Sequence, residues 1–137
     1  VVANGDVNDL ADAVETLSQS GADAVMVGRG HYGAPWLAGS IAAAAGGAEA
    51  PGVPLAGGEV ADYVVAHYED MLSLYGVERG LRHARKHLGW YLDRHAPQIA
   101  AGQRTAILGS TDPQAVIAAL RAAFGAAADL QAMRSAA

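Results

Sequence analysis

A chain of 137 residues with 52% apolar residues has material for one ordinary domain or for parts of two, although 17 glycines and abundant alanine dilute it. It has no cysteine, which excludes disulfides, thiolate-ligated metals and thiol chemistry within these residues. The net charge of −5 argues mildly against a nucleic-acid partner, but it averages two unlike halves: residues 1–77 hold one cation, Arg29, against ten acids, and residues 78–137 hold eight cations against four.

Val1-Val2-Ala3 reads as the end of a buried strand and Asn4-Gly5-Asp6 as the turn after it. Asn8 or Asp9 suits a helix N-cap. Leu10, Ala13, Val14 and Leu17 then recur at helical spacing, giving a stripe that ends at Ser20-Gly21. Ala24 to Val27 is a second strand. Strand, helix and strand within about 27 residues make a βαβ unit, which requires a parallel sheet and a right-handed crossover. Two strands do not make such a sheet, and the chain opens without Met. Both observations lead us to expect a fragment.

Gly28-Arg29-Gly30 follows the second strand directly. Glycines there let backbone approach a ligand, and arginine offers a planar fork of donors to phosphate. The competing reading is that the glycines merely permit a tight turn. Pro35 suits the first turn of a helix running to about Ala45. Residues 46–58, with Pro51, Pro54 and five glycines, have the composition of a linker. A domain boundary is expected there, with residues 1–45 on one side and 59–124 on the other.

Glu59 to Tyr75 is expected as a helix with Val60, Val64, Tyr68, Met71, Leu72 and Tyr75 on its apolar side and Gly76 as its stop. Val77 to about His95 is a more informative helix. Val77, Leu81, Ala84, Leu88, Tyr91, Leu92 and His95 share one sector. Arg79, Arg82, His83, Lys86, Trp90 and Arg94 share the opposite one, with Asp93 as its single acid. Such a face fits a phosphate backbone, with Trp90 offering a surface to a base or sugar; the plain alternative is a solvated helix face. His67 and His95 lie near apolar sectors and read as packed histidines. A shorter helix is expected from Ile99 to Leu108 with Arg104 exposed. Asp112-Pro113 starts a last helix with the stripe Val116, Ile117, Leu120 and Phe124. The Ala-rich stretch 125–137 lacks a stripe and is expected to be a flexible tail. No run approaches the roughly 18–20 apolar residues that a bilayer span needs, and no signal-peptide pattern is visible. No residue cluster has metal-ligand spacing, and no catalytic triad stands out.

Three stretches carry a family resemblance: Val-Val-Ala-Asn-Gly-Asp (1–6), Gly-Ala-Asp-Ala-Val-Met-Val-Gly-Arg-Gly (21–30) with Pro35-Trp36, and Arg85-Lys86-His87-Leu88-Gly89-Trp90-Tyr91. Together they resemble the C-terminal portion of a bacterial tRNA-dihydrouridine synthase, a likeness reaching from Val1 to about Phe124. The resemblance implies an α/β fold: the last two strands of an FMN-binding TIM (β/α)8 barrel, then a small all-α domain that binds tRNA. It implies reduction of the C5=C6 bond of uridine in tRNA, with hydride from FMN, a cysteine as acid and NADPH as reductant. Asn4, Gly5, Asp6, Gly28 and Arg29 match the flavin-binding positions. Arg79, Arg82, Arg85, Lys86, His87 and Trp90 fall on the helix expected to face tRNA. A cytoplasmic protein, monomeric when complete and independent of metal or membrane, would follow. No catalytic residue is assigned, because the family's cysteine has no counterpart here; the chain alone is expected to lack turnover and to hold FMN poorly. Two other readings stay open: a stand-alone helical RNA-binding module, and part of another FMN barrel oxidoreductase.

Overall fold

Two short parallel strands bracket the first helix. In the computed structural model, which describes residues 1–48, 52–54 and 57–136, β1 (Val2–Gly5) and β2 (Ala24–Val27) pair with Asn4 opposite Met26 and Gly5 opposite Val27. Between them runs α1 (Leu10–Ser20). Asp9 caps it by accepting the Asp12 N–H at 2.9 Å. Gly21, at φ +65°, ends it in the left-handed region where only glycine is at ease. A single 3-10 turn, Arg29–His31, follows β2, and α2 (Leu37–Ala45) starts only after Pro35 and Trp36 have made a turn of their own. These elements form one compact unit, Val1–Val53.

The expected burial of this unit is only partly met. Val7, Ala13, Ala34 and Leu37 are buried, but Val14 is exposed, and so are Val1, Val2 on β1 and Met26 on β2. Parallel strands are ordinarily covered on both faces, so a sheet of two leaves apolar side chains in solvent.

The second unit, Pro54–Ala137, is helical. α3 (Gly57–Tyr75) packs against α4 (Val77–His95) and α6 (Pro113–Ser135), and α5 (Ala101–Gly109) rests on α4 and α6. Its core joins Val60, Val64 and Tyr68 of α3 to Leu81, Ala84, Leu88, Tyr91 and Leu92 of α4 and to Val116, Leu120 and Phe124 of α6. Gly76, at φ +74°, makes the corner between α3 and α4. Asp112 caps α6 through the Gln114 N–H at 3.0 Å, and Pro113 occupies its first turn.

Several expectations need correction. The stretch from Gly125 is no irregular tail: α6 continues to Ser135, with Ala128 packed against the α3 backbone at Gly57. α3 begins at Gly57, two residues before the expected start; of the expected linker, residues 49–51 and 55–56 lie outside the described residues. Val77 is exposed, and Tyr75 is too. Arg104 is not a free surface charge: it bridges to Asp93 at 2.7 Å. By length and composition α6 could cross a membrane, which no run of the sequence suggested; here Arg121 bridges it to Asp62 of α3, and Val116, Leu120, Ala123 and Phe124 are buried in the helical unit.

Candidate functional site

The strand ends of the first unit place the first group of candidate residues together. Asn4, Gly5, Asp6, Met26, Gly28 and Arg29 line an open depression of about 430 Å³ at the C-terminal edge of the two strands. The parallel register delivers both loops to this edge. A Cβ on Gly5 or Gly28 would meet nothing within 4 Å, so both glycines face open space. The Arg29 guanidinium donates to Asp6 Oδ1 at 2.7 Å, and both side chains are about three-quarters exposed, at 75% and 72%. Exposed pairs of this kind contribute about 0–1 kcal/mol, so an incoming anion can displace the carboxylate.

Gly30 belongs to a different category. It is buried, and a Cβ there would lie 2.4 Å from the Val7 carbonyl oxygen and 2.9 Å from Leu37 Cδ2. Packing of the chain on itself therefore explains this glycine without any ligand. The N–H groups of His31 and Tyr32 are also committed, to the carbonyls of Gly28 and Arg29. What the Gly-Arg-Gly turn offers outward is mainly the Arg29 side chain.

The second group lies along α4. Leu81, Ala84, Leu88, Tyr91 and Leu92 turn one side of the helix into the core, which leaves Arg79, Arg82, Arg85 and Lys86 exposed on the rest. Arg82 pairs weakly with Glu78 at 3.4 Å, and Arg79 and Arg85 form no ion pair among the described residues. Lys86 Nζ lies 4.9 Å from the centre of the Trp90 ring. Arg85 sits roughly 100° around the helix from Lys86, so it flanks the basic face rather than belonging to it. Asp93, the acid expected among these cations, is taken up by Arg104 from α5, so Glu78 beside Arg82 is the acid of α4 that opposes them.

His87 and Trp90 are half-buried and meet at 5.1 Å edge to face. Beside them stands a residue that periodicity had assigned to simple packing, His67 of α3. Its ring lies 5.4 Å from that of His87, and its Nδ1 is 2.8 Å from the Tyr91 hydroxyl oxygen. Burial lowers the pKa of both histidines; Asp70 partly offsets this at His67, while His67, Lys86 and His83 add to it at His87. Burial also raises the Tyr91 phenol far above its ordinary value, so it remains neutral. A signal for this seam was present in the sequence. Tyr63, His67, Met71 and Tyr75 on α3 and His83, His87, Tyr91 and His95 on α4 are each spaced four apart, and antiparallel helices set two such ridges side by side. Tyr75 stacks on His83 at 4.6 Å at one end, and Tyr63 meets Tyr91 at 6.5 Å toward the other. Among the described residues no group of three or more His, Asp or Glu is placed to hold a metal.

Comparison with known proteins places both groups of residues in one family match. Residues 1–127 match the model of the family described as Dihydrouridine synthase (Dus). The chain is 52% identical over 124 residues to the "Probable tRNA-dihydrouridine synthase" of Rhodobacter capsulatus, a match covering 90% of this chain and 37% of that protein. It is 48% identical over 128 residues to the protein of the same name from Rhizobium leguminosarum bv. phaseoli, covering 93% of this chain and 38% of the relative. With "tRNA-dihydrouridine synthase B" of Xanthomonas axonopodis pv. citri it shares 42% over 127 residues, 92% of this chain and 37% of the relative. The chain thus spans less than two-fifths of the length of these relatives. The family match runs from the paired strands into α6 and so takes in residues of both units, and on that ground the chain belongs to the dihydrouridine synthase family.

Proposed function

We propose that this chain is the C-terminal part of a flavin-dependent tRNA-dihydrouridine synthase, an enzyme that reduces the C5=C6 bond of uridine in tRNA. In this reading β1 and β2 are the last two strands of an FMN-binding TIM barrel, and the helical unit binds tRNA in the cytoplasm. The observation that carries it is the α4 face: Arg79, Arg82 and Lys86 exposed along one helix, with Lys86 beside Trp90, in a chain whose first 77 residues contain a single cation.

The strand-end depression fits a phosphate-bearing cofactor. Gly5 and Gly28 leave room for close approach, and Arg29 is exposed and held by nothing stronger than a solvated carboxylate. In a TIM barrel the loops after the last two strands are the recurrent phosphate site. Asn4 and Asp6 would add polar contacts to the flavin's hydroxyl-bearing chain, and Gly28 and Arg29 would hold its phosphate. The bound flavin would supply hydride to uridine, with NADPH restoring it. The proton donor must come from outside these residues, because the family's acid is a cysteine and this chain has none.

Binding of tRNA is the primary test. Arg82→Ala with Lys86→Ala should weaken the chain's affinity for tRNA and lower the magnitude of its log–log salt slope by about two. Unchanged affinity and slope in a folded double variant would overturn the RNA assignment. The compactness of residues 54–137 supports a second reading, an RNA-binding module without reductase function. Dihydrouridine content of tRNA from cells lacking the gene separates the two: its loss at defined positions supports the reductase, and its full retention alongside tRNA binding supports the module.

A further inference from the structure

The basic face of α4 does not end at its cations. Along its edge the structure sets two imidazoles, His67 and His87, with ring centres 5.4 Å apart. Both are half-buried, and Trp90, with Lys86 4.9 Å from its ring, closes the group on the side of His87. We infer that His67, His87, Lys86 and Trp90 form one phosphate-contacting patch for RNA, and that the imidazole pair takes up a proton when the phosphate binds. This rests on the RNA reading above and adds to it a residue from α3 and a proton linkage.

The chemistry follows from the surroundings of each ring. The groups that bear on the pair are Asp70 on α3, and His83, Lys86 and Tyr91 on α4. Only Asp70 favours a charged ring; burial and the neighbouring cations oppose one. In the free protein the pair is therefore neutral at neutral pH. A phosphate brought to Lys86 reverses the balance, because an anion within a few ångströms favours the imidazolium. Two charged rings 5.4 Å apart would repel each other, so one proton is gained by the pair rather than two.

The hydrogen bond at His67 allows that gain without rearrangement. The Tyr91 phenol keeps its proton, and a hydroxyl both donates and accepts. With neutral His67 the hydroxyl can donate to Nδ1; with the imidazolium, Nδ1–H donates to the hydroxyl oxygen. The same 2.8 Å contact serves both states.

The test measures tRNA affinity of the chain at fixed ionic strength from about pH 8 down to about pH 5.5, with proton uptake taken from calorimetry in two buffers of different ionisation enthalpy. Affinity should rise on acidification by up to about tenfold per pH unit, the limit for one linked proton, with net proton uptake on binding. His67→Gln with His87→Gln should flatten the profile and reduce the uptake. A readout that needs no variant is the titration of the two imidazoles by NMR, whose midpoints should lie below the ordinary histidine value in the free chain and move up with RNA. Steep salt dependence with the same pH slope in wild type and double variant, or imidazole midpoints that RNA leaves in place, would overturn this inference while sparing the RNA reading. Failure to bind tRNA at any pH in low salt would overturn both.

Discussion

Glycines 28 and 30 stand two residues apart in one turn, yet they differ in what they do. A methyl group on Gly30 would collide with the backbone oxygen of Val7, an atom that has nowhere to retreat, whereas the same methyl on Gly28 would enter open space. Gly30→Ala should therefore cost about 1–3 kcal/mol of stability in denaturant unfolding, with Gly28→Ala far milder. Sequence alone shows three residues of one motif; which glycine serves the fold and which leaves room for a ligand depends on what packs above each, and Val7 and Leu37 give no sign of that in their spacing. Tyr68 makes the complementary case. It is 1% exposed, its hydroxyl has no hydrogen-bond partner among the described residues, and burial and the nearby Asp112 carboxylate both raise its pKa. A buried hydroxyl left unsatisfied costs about 1–3 kcal/mol. Tyr68→Phe should consequently be neutral or stabilising in thermal unfolding, where most replacements of so buried a residue would be harmful.

At the scale of elements, the α3–α4 seam combines close backbone approach with titratable groups. Gly80 lets the helices meet: a Cβ there would lie 2.8 Å from Leu72 Cα and from the Met71 carbonyl oxygen. Along the same seam His67 and His87 are held neutral by burial, so the unfolded chain binds protons more readily than the folded one. Stability should therefore be complete above the ordinary histidine value near 6.5 and should decline as pH falls from there through the lowered native values. Thermal unfolding of the chain and of its His87→Gln variant should show this, the variant losing less on acidification. The apolar side of this helix pair was legible because large residues recur at helical spacing from Val60 to Leu92. The C-terminal part of α6 was not, because alanines at 126–128 and 132 give no contrast between faces, so the stretch carries helix propensity without a stripe. Arg104 was misplaced for a related reason: a lone arginine on a short helix looks solvated until the partner, Asp93 of another helix, is in place.

For the whole molecule, the division at residues 53 and 54 falls inside the Gly- and Pro-rich stretch 46–58, whose composition reads as a linker, whereas the change in charge comes only after residue 77. The environment of β1 and β2 was not legible in the same way. Val1 and Val2 read as buried and stand 89% and 63% exposed, because their pattern belongs to a sheet covered on both faces and the described residues form a sheet of two strands. The relatives are more than twice as long, and in the proposed function their remaining sequence supplies the rest of the barrel. A chimera carrying this chain in place of the matching 37% of the Rhodobacter capsulatus relative tests that directly. It should bind FMN, which the chain alone should hold poorly, because a site on an incomplete sheet is not preorganised. Within the chimera Arg29→Ala removes a charge-assisted contact of about 1.5–3 kcal/mol, so FMN affinity should fall roughly ten- to a hundredfold. Riboflavin, which lacks the phosphate, should bind wild type and variant alike. Equal losses for both flavins would place Arg29 on the ring or its hydroxyl-bearing chain, and no loss for either would leave Asp6 as its only partner at this edge.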